Sequence, residues 1–147
     1  MKENILLVDD DPAVRRMLHR VLEAEDYRVV PAANGVEAVE LAGAQPPDLT
    51  LLDLNLPAKD GWQVFERLTN AHPAMPFIII TARPNQLFPA LASGVGALME
   101  KPLDLPKLLQ TIRDLLDEPS HVRVSRAGGQ PAQFHYLPAN LRQNVPR

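Results

Sequence analysis

The sequence predicts an α/β fold: a doubly wound, five-stranded parallel sheet with helices on both faces, followed by a C-terminal extension. Three observations carry this. Strand and helix signals alternate five times before residue 119, as consecutive βα units feeding one parallel sheet do. The run Phe77-Ile78-Ile79-Ile80 is continuous and β-branched, which suits a strand covered on both faces. Two further apolar runs, Ile5-Leu6-Leu7-Val8 and Leu49-Thr50-Leu51-Leu52, stop abruptly at Asp9-Asp10-Asp11 and at Asp53. Each reads as a buried strand whose carboxyl end opens into a polar site.

Residues 4–8 form the first strand, and Asp11 as N-cap with Pro12 at the first helical position starts the first helix. Its apolar positions Val14, Met17, Leu18, Val21 and Leu22 share one face. Residues 27–31 make the second strand, and Asn34-Gly35-Val36-Glu37 has the pattern of a capping box ahead of a second helix. The third strand covers 49–53, a helix runs from about Gly61 to Asn70, and Phe77–Ile80 is the fourth strand. Asp60-Gly61 reads as turn chemistry ahead of that helix. Pro84 and Pro89 limit the next helix to a short segment within Asn85–Ser93, and Ala97-Leu98-Met99 is a weak fifth strand. The final helix is plain, with Leu105, Leu108, Leu109, Ile112, Leu115 and Leu116 at helical spacing behind Asp104 as cap.

The 147 residues, 46% of them apolar, suffice for one domain with a real core. The chain has no cysteine, which excludes disulfides, thiolate metal sites and thiol nucleophiles. The first apolar run is too short for a signal-peptide core and no stretch approaches the length of a membrane span, so a cytoplasmic protein without membrane association is expected. All 18 acidic residues lie at or before Glu118, against 11 basic residues in the same region. This acidic body argues against nucleic-acid binding, which needs Lys and Arg to neutralise phosphates.

The acidic strand ends carry the chemistry. Two carboxylates about 4 Å apart repel by roughly 1 kcal/mol in water and about 4 kcal/mol at a protein surface, so a cluster raises a pKa or holds a cation. A few carboxylates completed by water and a phosphate group suit Mg²⁺ better than a closed Ca²⁺ cage. The bland alternative has Asp11 capping a helix and Asp9 and Asp10 as solvated loop residues. Further polar groups follow the later strands: Asp53-Leu54-Asn55-Leu56-Pro57 the third, Thr81-Ala82 the fourth and Lys101-Pro102 the fifth. One pocket at the carboxyl edge of the sheet can hold them all.

In kind and order these residues resemble the receiver domain of two-component response regulators, the CheY-like superfamily, over about residues 3–118. The resemblance implies the flavodoxin-like strand order 2-1-3-4-5. It implies Asp53 as phosphoacceptor, with Asp10, Asp53 and the carbonyl of Asn55 as Mg²⁺ ligands and Asp9 holding the metal through water. It also implies that Lys101 and Thr81 contact phosphoryl oxygens, and that Lys101-Pro102 is joined by a cis peptide bond. The implied partners are a sensor histidine kinase or phosphotransfer protein and a downstream protein target. Such a protein is a switch that assists its own phosphorylation and dephosphorylation rather than an enzyme acting on external substrates.

The pattern departs from the family at three places. Leu98 stands where receivers commonly carry an aromatic residue, and the interval from Thr81 to Lys101 is about two residues short. The third departure is the extension, 119–147, with Pro119, Pro131, Pro138, Pro146, Gly128-Gly129 and four arginines. It reads as a linker, a docking segment or an arm against a second subunit in a homodimer. Val122–Ser125 and Gln133–Leu137 can pair as a hairpin across the glycines. His19, His72, His121 and His135 lack ligand spacing, and Arg15 and Arg16 read as a solvated helix face.

Two other functions compete with the switch. A degenerate receiver serving as a constitutive interaction module is motivated by Leu98 and the shortened segment. A Mg²⁺-dependent aspartyl phosphohydrolase would use Asp53 as nucleophile, but needs a general acid, and Asn55 stands where that pattern places a second Asp.

Overall fold

A computed structural model describes residues 2–57, 60–119 and 134–140. Five βα units follow one another: β1 (Asn4–Val8), α1 (Pro12–Ala24), β2 (Arg28–Ala32), α2 (Gly35–Ala44), β3 (Leu49–Asp53), α3 (Gly61–Ala71), β4 (Phe77–Thr81), α4 (Leu87–Ser93), β5 (Ala97–Glu100) and α5 (Leu105–Asp117). A short sixth strand, β6 (His135–Leu137), comes last. All neighbouring strands are parallel, in the order β2-β1-β3-β4-β5-β6.

Strand alternation sorts the core into two layers. Leu6, Val8, Leu52, Ile79 and Leu98 face one side with Ala38, Ala42, Val64, Phe65, Leu68 and Ala90 of α2, α3 and α4. Ile5, Leu7, Leu49, Leu51, Ile78, Ile80 and Met99 face the other with Leu18, Leu22, Leu108, Ile112 and Leu115 of α1 and α5. Every residue of β3 and β4 is buried, which explains their unbroken apolar runs. Pro31 sits in β2, an edge strand that pairs only with β1, so its missing N–H costs no ladder bond.

The helix starts follow their caps. Asp11 accepts from Ala13 N–H at 2.8 Å, Asn34 from Glu37 N–H at 2.9 Å, Asp60 from Trp62 N–H at 3.0 Å and Asp104 from Lys107 N–H at 3.2 Å. The short α4 tolerates Pro89 in its first turn, where no intrahelical N–H bond is required. It is entered through Asn85 at φ 61° and closed by Gly94 at φ 79°, two left-handed residues that let seven helical residues fill a reduced interval.

The sheet has six strands where the sequence predicts five. The Val122–Ser125 half of the expected hairpin lies outside the described residues, and the other half is β6, paired parallel to β5. The physical reason is the bare edge that β5 otherwise presents, a row of unpaired backbone groups. Phe134 packs against one core layer and Leu137 against the other, so the strand closes both rims of that edge. No helix among the described residues is long and apolar enough to cross a membrane.

Candidate functional site

The parallel sheet places the ends of β1, β3, β4 and β5 along one edge, and each delivers a polar group there. Asp9 and Asp10 follow Val8 directly, Asp53 and Thr81 are the last residues of their strands, and Lys101 follows Glu100 at the end of β5. Carboxylate oxygens of Asp9, Asp10 and Asp53 lie within 4.8 Å of one another. Asp9, Asp53 and Thr81 are buried, while Asp10 and Asn55 are exposed at the rim.

Lys101 joins the acids. Its Nζ donates to Asp53 Oδ2 at 3.1 Å and to Asp9 Oδ2 at 3.3 Å. The second oxygen of each carboxylate accepts a backbone N–H two residues on: Asp9 Oδ1 from Asp11 at 2.9 Å, Asp53 Oδ1 from Asn55 at 3.0 Å. Each buried acid is thus held by one fixed amide and one movable ammonium, leaving lone pairs toward Asp10. Burial pushes the Asp9 carboxyl above its ordinary pKa; the Asp11 amide opposes the rise, the Asp53 charge adds to it and Lys101 opposes it. For Lys101 burial acts against the charge, yet Asp53 and Asp9 outweigh it and the pKa is raised.

The remaining polar groups shape the rim. Thr81 Oγ1 accepts from Arg83 N–H at 2.8 Å, and the Arg83 guanidinium reaches Asp60 Oδ2 at 3.2 Å, tying the segment after β4 to the start of α3. Gly61 N–H donates to Leu54 O at 2.9 Å, and a Cβ there would come to 2.4 Å from Leu54 Cα. Only glycine permits that approach, which fixes the loop carrying Asn55. The Lys101–Pro102 peptide is cis.

Sequence reasoning missed two contributors. Arg15, read as a solvated face, donates from Nη1 to Asp9 O at 2.6 Å and so braces the acidic loop from α1. Tyr136 of β6 lies in register with Leu98, the position where the aromatic is absent, and donates from its hydroxyl to Glu100 Oε1 at 2.9 Å. Leu98 itself is fully buried. No local signal announced a pairing between a short tail segment and the sheet edge.

An all-oxygen donor set of three close carboxylates is the chemistry a hard divalent cation requires, so the residues fit Mg²⁺. Residues 5–113 match the family model for the response regulator receiver domain. The chain is 36% identical over 117 residues to the transcriptional regulatory protein GlrR of Escherichia coli (strain K12), a match covering 78% of this chain and 26% of that protein. It is 39% identical over 114 residues to the response regulator MprA of Mycobacterium leprae (strain TN), covering 76% and 50%. The chain therefore spans about a quarter to a half of these curated relatives.

Among solved structures, a CheY-like receiver domain protein from Methanospirillum hungatei JF-1 superposes with a TM-score of 0.76 at 30% identity, over 80% of this chain and 95% of that one. TrrA from Thermotoga maritima, solved in complex with Mg²⁺ and BeF, gives a TM-score of 0.72 at 27% identity, over 78% and 99%. With the family match running from β1 into α5 and the acidic edge built as described, the chain belongs to the response regulator receiver domain family.

Proposed function

We propose that residues 3–118 are a phosphoacceptor switch in a two-component phosphorelay, with Asp53 as acceptor and 119–147 as an extension of that unit. The observation that carries the reading is the Lys101 ammonium between Asp53 and Asp9, inside a cluster of three carboxylates. A carboxylate oxygen of Asp53 attacks the phosphorus of a phosphohistidine. The new O–P bond forms as the donor's N–P bond breaks, the electron pair returning to the imidazole ring. Negative charge spreads over the three transferring oxygens, so the site's work is positioning and cationic stabilisation.

Lys101 follows that charge, exchanging part of its hold on the carboxylates for a phosphoryl oxygen. Thr81, whose oxygen accepts from Arg83 N–H, keeps its own hydroxyl proton to donate to another. Asp10, Asp53 and the Asn55 carbonyl would hold Mg²⁺ directly and Asp9 through water. When bound, the ion supplies positive charge to the transferring group and offsets the carboxylates. The amides of Asp11 and Asn55 keep the two buried acids oriented.

A protein donor has a place to sit. An apolar recess of about 510 Å³ lined by Val14, Met17, Leu103, Leu105 and two prolines opens beside Lys101, between α1 and the start of α5. The exposed Phe88 and Leu91 of α4 offer a downstream protein a separate apolar contact. A switch of this kind acts by shifting the population between two conformations.

The test is labelling by a small phosphodonor with Mg²⁺. One acid-stable, base-labile phosphate should appear on the wild type and none on Asp53→Asn. Absence of both labelling and beryllofluoride binding would leave the constitutive interaction module. Multiple turnover of an external phosphate ester, lost in Asp53→Asn, would establish the phosphohydrolase instead.

A further inference from the structure

The residues on both sides of Lys101 are bonded by the chain's own C-terminal segment, Glu100 through its side chain and Pro102 through its carbonyl. Tyr136 Oη donates to the side chain of Glu100, the residue before it, at 2.9 Å. Asn140 N–H donates to the carbonyl of Pro102, the residue after it, at 2.9 Å. Lys101 N–H donates in the opposite direction, to Thr81 O at 2.8 Å. Its peptide segment is thereby tied to β4 on one flank and to the tail on the other.

The tail is itself seated. β6 pairs with β5 in the register Ala97↔His135, Leu98↔Tyr136 and Met99↔Leu137, and His135 N–H donates to Gly96 O at 3.1 Å. Phe134 and Leu137 pack against opposite core layers. Lys101 follows the last residue of β5, is held to β4 through its N–H bond to Thr81 O, and aims its long, flexible side chain back at Asp53.

We propose that Phe134–Asn140 is a positioning element for Lys101, with Tyr136 and Asn140 as its positioning residues. The inference rests on the phosphoacceptor reading of Asp53. It separates two functions of the site. Asp9, Asp10 and Asp53 are presented by β1 and β3, and β4 and β5 lie between β3 and the tail strand. The tail therefore governs phosphoryl capture, which needs Lys101, and its loss does not weaken metal binding by the carboxylates.

The test uses the full chain: wild type, Tyr136→Phe, Asn140→Pro, which removes the donated N–H, and Leu137→Asp, which unseats the strand. Three quantities are measured: the rate of Asp53 labelling by acetyl phosphate, the Mg²⁺ Kd by calorimetry without phosphodonor, and exchange of the Lys101 amide by NMR. Loss of one hydrogen bond corresponds to a factor of about 2–10, so Tyr136→Phe and Asn140→Pro should each slow labelling by about that much. Leu137→Asp should match or exceed their combined effect and speed Lys101 amide exchange, with Mg²⁺ bound no more weakly than by wild type.

An unchanged labelling rate or unchanged Lys101 exchange in Leu137→Asp overturns the proposal. So does a parallel loss of Mg²⁺ affinity and rate, which would mark general loosening. A wild type that takes no phosphate refutes the phosphoacceptor reading instead, and the Lys101 exchange rate then decides whether the tail holds that residue.

Discussion

Lys101 Nζ lies 3.1 Å from Asp53 Oδ2, reaching past β4 to the strand that carries the acid. The two residues are 48 positions apart in sequence, and their meeting depends on β3, β4 and β5 ending at one edge. In this arrangement the ammonium offsets the repulsion among the carboxylates. It therefore stabilises the cluster and at the same time opposes the entry of another cation.

Replacing Lys101 by Met keeps much of the side chain's length and removes its charge. Labelling of Asp53 should slow by about 10²-fold, the usual effect of deleting one preorganised donor to a developing charge. Mg²⁺ should bind several-fold tighter, because a competing positive charge has gone. The fold should lose about 1–3 kcal/mol, less than the 3–5 kcal/mol of breaking a fully buried pair, since Lys101 is 24% exposed. Phosphodonor kinetics, calorimetry and urea melts read these out; weaker Mg²⁺ binding would show that Lys101 holds the carboxylates in place rather than competing for them.

Alkaline pH should act on the opposite end of the molecule through Tyr27. Burial raises its phenol above 10.0; a hydrogen bond from Arg113 opposes the rise, Glu3 adds to it, the Arg113 charge opposes it and Glu25 adds to it. The folded state then keeps its proton where the unfolded state has lost it, so stability falls as pH climbs from 10.0 through the folded value. Urea midpoints of wild type and Tyr27→Phe, compared from about pH 8 to 11, should keep a constant offset up to about 10 and then move in favour of the variant. A constant offset over the whole range refutes the assignment.

The alternation of strands and helices and the meeting of Asp9, Asp10, Asp53 and Lys101 were legible because a buried strand ending in a polar residue is a local signal with one geometric outcome. Cap residues Asp11, Asn34 and Asp104 were legible for the same reason, whereas Asp60, which reads as turn chemistry in the sequence, also caps its helix. β6 was only half legible: Gln133–Leu137 reads as one strand of a hairpin with Val122–Ser125, but the partner of His135–Leu137 is β5, decided by which sheet edge lies bare. Arg15 escaped because periodicity gives a residue's face and not its reach. Long helical side chains lean toward the N-terminus, which carried this guanidinium back over the acidic loop.

Gly61 should resist substitution. In Gly61→Ala the new Cβ would meet Leu54 Cα at 2.4 Å, Asp53 O at 2.8 Å and Leu54 O at 2.9 Å, all backbone atoms that cannot swing aside. A loss of about 1–3 kcal/mol is expected, as for overpacking at other tight sites. Because the displaced segment joins Asp53 to Asn55, Mg²⁺ affinity should fall as well. Gly43, where an added Cβ would meet nothing within 4 Å, provides the control: Gly43→Ala should leave Mg²⁺ affinity at the wild-type value and stability equal or slightly higher.

Asp9 is where stability and function oppose each other. Its carboxyl is buried, and its pKa is raised first by that burial, so at neutral pH the ionised group destabilises the folded state relative to the unfolded one. Asn at this position can still accept the Asp11 N–H, and Lys101 keeps its partner Asp53. In EDTA, Asp9→Asn should therefore melt higher than the wild type. With Mg²⁺ in excess the order should reverse, because a ligand stabilises the fold by RT ln(1 + [L]/Kd) and the wild type holds the ion more tightly. Melting both proteins across a Mg²⁺ titration tests this: the curves should cross, and a variant that stays below wild type in EDTA would show that the Asp9–Lys101 pair outweighs the cost of burying the charge.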